Sequence, residues 1–245
     1  MSIDLNADVG EGCDDEALLP FLTSANVACG MHAGGPGVMD RTVALALARN
    51  VRIGAHPGYD DRKNFGRTEM ELPLDEVESL VLFQVAALDG FVRSRGGRLA
   101  HVKAHGALYN QAARIPDLAR AIARGVKRYR GDLVLVGLAG SKLLAAAEEI
   151  GLPAAGEAFA DRRYMPDGAL MPRSRPGSVL TDPADAVEQA VRIARDGFVT
   201  ASDGSRVAVA ARTLCLHGDT PGAPRIAQAV RDGLQREGIE VRPLA

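Results

Sequence analysis

The sequence predicts a parallel α/β fold closed into a (β/α) barrel of seven strands. Three observations carry that expectation. Short β-rich apolar runs alternate with helical patterns along the whole chain, which is the rhythm of repeated βα units. Polar and ionisable residues gather at the ends of those runs, and six different strand ends contribute them. An open doubly wound sheet draws its ligand groups from the few strands beside one crevice, whereas a closed barrel aims every strand end at one mouth.

In chain order, strands are expected at 3–8, 24–29, 52–55, 99–104, 133–138, 154–159 and 207–216. Helices are expected between them at 37–49, 74–95, 116–129, 141–150, 183–196 and 223–237. Pro73 and Asp75 open the long helix and Gly96-Gly97 close it; Asp182-Pro183 opens a later one and Gly197 ends it. The run FVTASDGSRVAVA places Asp203-Gly204 between two apolar stretches, the signal of a β-hairpin at the entry to the last main strand. No linker or low-complexity tract divides residues 1–245, so the chain reads as one barrel domain, and barrels of about 200–250 residues commonly fold as a unit.

Composition narrows the partners. Within 245 residues, 29 basic side chains stand against 31 acidic ones, so no basic field opposes phosphate repulsion and nucleic acid is not an expected partner. With no Trp, 6 Phe and 4 Tyr, base-stacking platforms are also missing. No apolar stretch reaches the roughly 18 residues that cross a bilayer. The opening segment carries Asp4, Asp8, Glu11, Asp14, Asp15 and Glu16, the reverse of a cationic signal peptide, which points to the cytoplasm. Cys13, Cys29 and Cys215 are too few and too scattered for a disulfide framework.

In a strand buried on both faces, polar side chains are costly unless paired or used. With period two, Asp4, Asn6 and Asp8 share one face of the first strand, and His101, Lys103 and His105 share one face of the fourth. One face is acidic and the other cationic. Asn26 and His32 belong to the end of the second strand, His56 ends the third, and Glu157, Asp161, Arg162 and Arg163 cluster at the sixth. His217 and Asp219 end the last. The expected picture is a wet, polar cup above an aliphatic interior.

The runs DLNADVGE, SANVACGMHAG, GAHPGYDD with FGR, VKAHGALYN, EAFADRRY and LCLHGDTP together resemble the lactam-utilisation family, whose members form one of the subunits of 5-oxoprolinase. The resemblance spans nearly the whole chain in the same order. It departs from the family's usual residues at Gly35, Ala104 and Asp60, and only Gly35 replaces an ionisable group. The resemblance implies a barrel related to the glycoside hydrolase/polysaccharide deacetylase fold. It also implies a role beside two partner subunits in the ATP-dependent opening of 5-oxoproline to L-glutamate.

Ring opening of a stabilised lactam needs activation, and phosphorylation of the amide oxygen by ATP as co-substrate would supply a leaving group before water attacks. Such a site requires a base, donors for developing negative charge, and an anchor for the substrate carboxylate. Asp8 or Asp4 is the candidate base. Lys103, His105 and His217 are candidates to stabilise the anion or phosphate, and Arg162 or Arg163 to grip the carboxylate. Asn6, Asn26, His32, His56, Tyr109 and Asp161 complete the expected substrate-binding set. Asp4 has an alternative role as a structural partner of Lys103 across the lumen.

No metal ligands are assigned, because no H-E-x-x-H or comparable local spacing occurs. A divalent metal held by converging His and carboxylates remains an alternative, in which the chain is an ATP-independent amide hydrolase or deacetylase. A noncatalytic lactam-binding subunit is the third reading. The segment Gly137–Lys142, GLAGSK, lacks the spacing of a phosphate loop and reads as an ordinary βα turn. ATP therefore binds an unconventional surface of this chain or is used by a partner subunit.

Overall fold

The computed structural model describes residues 1–244. Seven parallel strands pair in the order β1 (Ser2–Val9), β2 (Ser24–Ala28), β3 (Arg52–His56), β4 (Leu99–Lys103), β5 (Val134–Leu138), β6 (Ala154–Phe159) and β9 (Thr213–Leu216). The ring closes where β1 also pairs with β9, Asp4 opposite Thr213 and Ala7 opposite Leu216, which leaves no open barrel edge. The seven-stranded closed barrel expected from the sequence is the observed fold. A two-residue strand, β10 (Glu240–Val241), adds to the start of β1.

Eight helices surround the ring: α1 (Asp15–Leu18), α2 (Pro36–Ala48), α3 (Leu74–Ser94), α4 (Gly106–Arg114), α5 (Pro116–Tyr129), α6 (Lys142–Glu149), α7 (Pro183–Asp196) and α8 (Ala223–Arg236). The six expected helices each match within one residue at either end. The short α1 and the nine-residue α4 have no counterpart among the expected elements. α4 starts on a glycine with positive φ and has no side-chain cap, so the usual start signals are missing.

The expected strand 207–216 is the main departure. Its first part is β8 (Arg206–Ala208), which pairs antiparallel with β7 (Phe198–Thr200) outside the barrel. Only Thr213–Leu216 enters the ring. Between them the chain crosses over β6, where a Cβ on Gly156 would lie 2.5 Å from the Ala210 carbonyl oxygen. The hairpin at Asp203-Gly204 is present as expected.

The two strand faces do different work. Leu5, Val27, Ile53, Val102, Leu135 and Leu214 are fully buried in the apolar layer between ring and helices. That layer supplies the hydrophobic driving force. The lumen corrects the expectation of an aliphatic interior, because it is filled by a ladder of hydrogen-bonded polar side chains. Asp4 at its base accepts from Thr23 Oγ1 at 2.7 Å, Ser24 Oγ at 2.6 Å and Thr213 Oγ1 at 2.5 Å. Asn6 donates to Thr213 Oγ1 at 2.6 Å and Glu157 Oε1 at 3.1 Å, and accepts from Asn26 at 2.8 Å. His101 Nε2 donates to Asn26 Oδ1 at 2.7 Å and fills the space beside Gly54. Each of these polar groups has a partner, which is the condition for burying it.

Candidate active site

The lumen ladder ends upward in Asp8 and Lys103, which form the floor of a cup of about 820 Å³ at the carboxyl-terminal end of the barrel. Its wall includes Glu11, His56, His105, Tyr109, Phe159, Arg162, His217 and the segment Leu138–Ser141. Strand ends far apart in the sequence are thus brought to one rim.

Lys103 Nζ lies 3.0 Å from Asp8 Oδ1 and 3.0 Å from Glu157 Oε1. It also donates to Cys215 Sγ at 3.0 Å, whose thiol is kept protonated by burial. Burial works against the ammonium, but the two carboxylates overcome it and raise the Lys103 pKa well above normal. Burial likewise opposes ionisation of Asp8, yet the positive charges at His56 and Lys103 hold it well below the usual carboxylate range. Tyr109 donates to the second Glu157 oxygen at 2.8 Å, completing that carboxylate's shell. Lys103 is therefore a fixed cation with one carboxylate below it and one facing the cup.

A second pair stands on the opposite wall. Asp161 accepts from His217 Nδ1 at 3.0 Å and from the His217 backbone amide at 2.8 Å. This fixes the tautomer and leaves Nε2 as a lone pair. Although burial opposes it, the interaction with His217 lowers the Asp161 pKa, so the carboxylate stays charged. The imidazole stacks on Phe159 with ring centroids 5.3 Å apart.

Three histidines and Glu11 form the third group. His56 Nδ1 meets the Lys103 carbonyl oxygen at 2.7 Å and His105 Nε2 meets the Phe65 carbonyl oxygen at 2.8 Å. A carbonyl only accepts, so both nitrogens carry protons. The remaining nitrogens, His56 Nε2 and His105 Nδ1, face each other at 3.0 Å. Glu11 Oε1 lies 2.9 Å from His32 Nε2 and 3.3 Å from His105 Nδ1. His32 stacks parallel to His105 at 3.7 Å, and burial pushes its pKa down to about 4. Burial would raise the Glu11 pKa, but hydrogen bonds from His105 and His32 lower it to about 2. Phe65 presents its carbonyl from a left-handed conformation with φ of 56°, an unfavourable state for a bulky residue that the neighbouring contacts hold in place. Four donor atoms of Glu11, His32, His56 and His105 lie within 4.8 Å of one another, but the parallel rings of His32 and His105 cannot both aim an in-plane lone pair at one ion.

Not every expected residue reaches the cup. Asp4 is sealed under the Thr23, Ser24 and Thr213 hydroxyls, and burial raises its pKa, so it is neither the exposed base nor the partner of Lys103. Asn6 and Asn26 are buried in the ladder and position Glu157 and Asp8 instead of touching substrate. His32 and Asp161 stand behind His105 and His217. Arg162 lines the cup, but its Nε and Nη2 donate to the Ser178 and Met171 carbonyls, so a two-pronged grip is closed to it and Nη1 is the arm left for a ligand. Arg163 is exposed outside the cup lining. Glu11 and Glu157 carry no role in the sequence reading; the signal for Glu11 is its place between two glycines just past the first strand.

The GLAGSK segment is a capped βα turn, with Ser141 Oγ accepting from the Leu144 amide, and it reaches the cup wall. Its lysine, Lys142, is exposed and does not line the cup.

A parallel barrel with carboxylate, lysine and histidine side chains converging at its carboxyl-terminal mouth defines a barrel of the deacetylase-like type with a polar, enzyme-like cup. The catalytic domain of a peptidoglycan N-acetylglucosamine deacetylase from Eubacterium rectale shares the fold, with a TM-score of 0.51, 11% identity and coverage of 99% of this chain and 88% of that one. The profile of the LamB/YcsF family matches residues 3–245, and the chain belongs to that family. It is 51% identical to a 5-oxoprolinase subunit of Methylococcus capsulatus over 99% of this chain and 96% of that protein. A lactam utilization protein from Thermus thermophilus has a crystal structure that superposes with a TM-score of 0.94 at 46% identity, covering 100% of both chains. Among the described residues no helix is long and apolar enough to cross a membrane.

Proposed function

We propose that this chain is the ring-opening subunit of an ATP-dependent 5-oxoprolinase, converting 5-oxo-L-proline to L-glutamate together with partner subunits. The observation that carries the reading is the Asp8–Lys103 pair, a buried charge pair with its carboxylate open to the cup. Kinship with proteins named as 5-oxoprolinase subunits supports the substrate class.

A lactam carbonyl gains negative charge as it is attacked. A fixed ammonium, itself almost fully buried at the floor of the cup, stabilises that charge far better than bulk water does. Lys103 supplies it. Asp8, with its strongly depressed pKa, is a poor proton acceptor; its part is to keep Lys103 charged and to orient the attacking water. Proton removal falls to His217, whose Nε2 lone pair is set by Asp161. The protonated imidazole then returns the proton to the departing ring nitrogen; because the carbonyl oxygen carries the phosphoryl group taken from ATP, the opened product is an acyl phosphate, and a second water releases phosphate to leave L-glutamate. Arg162 Nη1 offers a single hydrogen bond to the substrate carboxylate.

ATP enters as the activating co-substrate, and a partner subunit is the proposed site of phosphoryl transfer, because the GLAGSK turn lacks phosphate-loop spacing. Two other subunits are the proposed partners. Reconstitution of the full chain with candidate partners, 5-oxoproline and ATP, following glutamate and ADP, tests the reading. Little turnover alone and coupled turnover in the complex are expected. ATP-independent hydrolysis of an amide by the isolated chain would replace this reading with that of an amide hydrolase.

A further inference from the structure

We propose that Arg67 and Arg173, at the rim of the cup, bind the phosphoryl group of a lactam that enters already O-phosphorylated. The inference rests on the ring-opening reading and adds the chemical form in which the substrate arrives. Three loops converge here. Arg67 follows β3, Arg173 lies between β6 and α7, and Asp219 follows β9, yet all three line the same cup. Arg67 Nη2 lies 2.7 Å from Asp219 Oδ2, and the two Nη atoms of Arg173 lie 3.3 Å from the two Asp219 oxygens. Among the described residues Asp219 is the only hydrogen-bond acceptor of either side chain, so one carboxylate serves two guanidiniums and most of their N–H groups stay free.

A third guanidinium adds to the surplus of positive charge. Arg162 lines the cup as well, and its Nη1 is free of the carbonyls that hold Nε and Nη2. Burial, and then the charge on Arg173, lowers the Arg162 pKa to about 10, so like charges are packed together on this wall. The neighbouring acids do not relieve them. Asp161 is committed to His217, and Asp167, which also lines the cup, accepts from the Ala169 amide of its own turn.

The two rim arginines are held in place. Arg67 lies over the Phe65 ring, 4.9 Å from its centroid, and the Phe65 carbonyl orients His105. Ser178 ties Arg173 to Arg162: its hydroxyl donates to the Arg173 carbonyl and its carbonyl accepts from Arg162 Nε, both at 3.3 Å. The rim also adjoins the proposed chemistry, because a Cβ on Gly218, between His217 and Asp219, would lie 3.1 Å from the Asp8 carbonyl oxygen. Guanidiniums bind phosphoryl oxygens through paired N–H groups, and two of them match a dianion. The Asp219 pairs are partly exposed to water, where ion pairs contribute little, so a phosphoryl dianion can displace that carboxylate. Arg162 Nη1 is then left for the substrate carboxylate, and the two anionic groups have separate anchors.

The test uses the isolated full chain and needs no turnover. Isothermal titration calorimetry at constant ionic strength follows inorganic phosphate, methyl phosphate and ADP. One equivalent of phosphate per chain is expected, with methyl phosphate binding too and ADP less than tenfold tighter than phosphate. Phosphate affinity should weaken at least tenfold in Arg67→Gln and in Arg173→Gln, each checked for fold by circular dichroism. It should stay within twofold in Arg114→Gln, another arginine of the cup, paired with Glu69 at 2.6 Å. Asp219→Asn removes the competing anion and should tighten binding at least threefold. Absence of saturable phosphate binding by the unaltered chain overturns the proposal, as does undiminished affinity in both rim variants. Weaker binding in Asp219→Asn overturns it in favour of a structural latch, failure of methyl phosphate to bind in favour of a site for free phosphate, and ADP at least tenfold tighter in favour of a nucleotide site. Partners, lactam and ATP are absent, so failure here leaves ring opening standing, whereas ATP-independent amide hydrolysis with these binding results intact would leave the anion site and remove the lactam.

Discussion

Lys103 Nζ sits midway between two carboxylates, 3.0 Å from Asp8 Oδ1 and 3.0 Å from Glu157 Oε1, with almost no exposure to water. One ammonium thus serves two anions, and only Asp8 faces the cup.

Lys103→Met removes the cation and leaves the two carboxylates without it. Breaking a buried pair in this way typically costs about 3–5 kcal/mol. Chemical denaturation at neutral pH should register a loss of that order. Adding Glu157→Gln to the same chain should restore part of it; a double variant no more stable than Lys103→Met would show that the carboxylates are not the source of the loss.

The contact between His101 and Gly54 is testable by overpacking. A Cβ on Gly54 would lie 2.1 Å from His101 Nε2, and the glycine's backbone is ordinary strand, so sterics alone demand glycine. Gly54→Ala should destabilise the barrel by about 1–3 kcal/mol or more. His101→Ala should make the alanine at position 54 far cheaper in a double-mutant cycle. Additive losses would contradict the assigned contact.

His101 also sets part of the acid sensitivity. Burial, then the charge on Lys103, lowers its folded pKa to about 3, against roughly 6.5 in an unfolded chain. Above about pH 6.5 both states hold it neutral and its contribution is constant. Below that, the unfolded chain takes a proton that the lumen refuses, so stability falls with pH down to about 3. The slope due to this residue approaches about 1.4 kcal/mol per pH unit. His101→Asn should flatten the curve in that window; an unchanged slope would mean that His101 is protonated in the folded chain.

Asp161→Asn keeps the shape of its side chain but loses the charge that fixes the His217 tautomer. In the reconstituted complex kcat should drop by about 10²- to 10⁴-fold, the usual range for positioned acid–base groups, with KM little changed. A rise in KM alone would make Asp161 a binding residue.

Much of this architecture is legible in the sequence because one physical rule wrote it: polar residues at period two in buried strands. Asp8, Lys103, His105 and His217 follow that rule and reach the cup. The same rule cannot give depth along a strand, so Asp4 and Asn6 look equivalent to Asp8, although hydroxyls from neighbouring strands seal them below. Arg162 and Arg163 are adjacent, and only the fold decides that one turns inward and the other out. Glu11 lies off the strand, where periodicity is silent. The break between β8 and β9 is hidden because Val207, Ala208, Val209, Ala210 and Ala211 continue the apolar run that leads into Leu214, Cys215 and Leu216 with no glycine or proline between them.

The most direct measurement is glutamate formation from 5-oxoproline and ATP by the reconstituted complex carrying Asp8→Asn, with circular dichroism confirming the barrel. A loss of at least about 10²-fold in kcat is expected, the scale set by removing one electrostatic group from a preorganised site. Glutamate formation at close to the unaltered rate would contradict the proposed role, because the carboxylate that anchors Lys103 at the cup floor would then play no part in opening the ring.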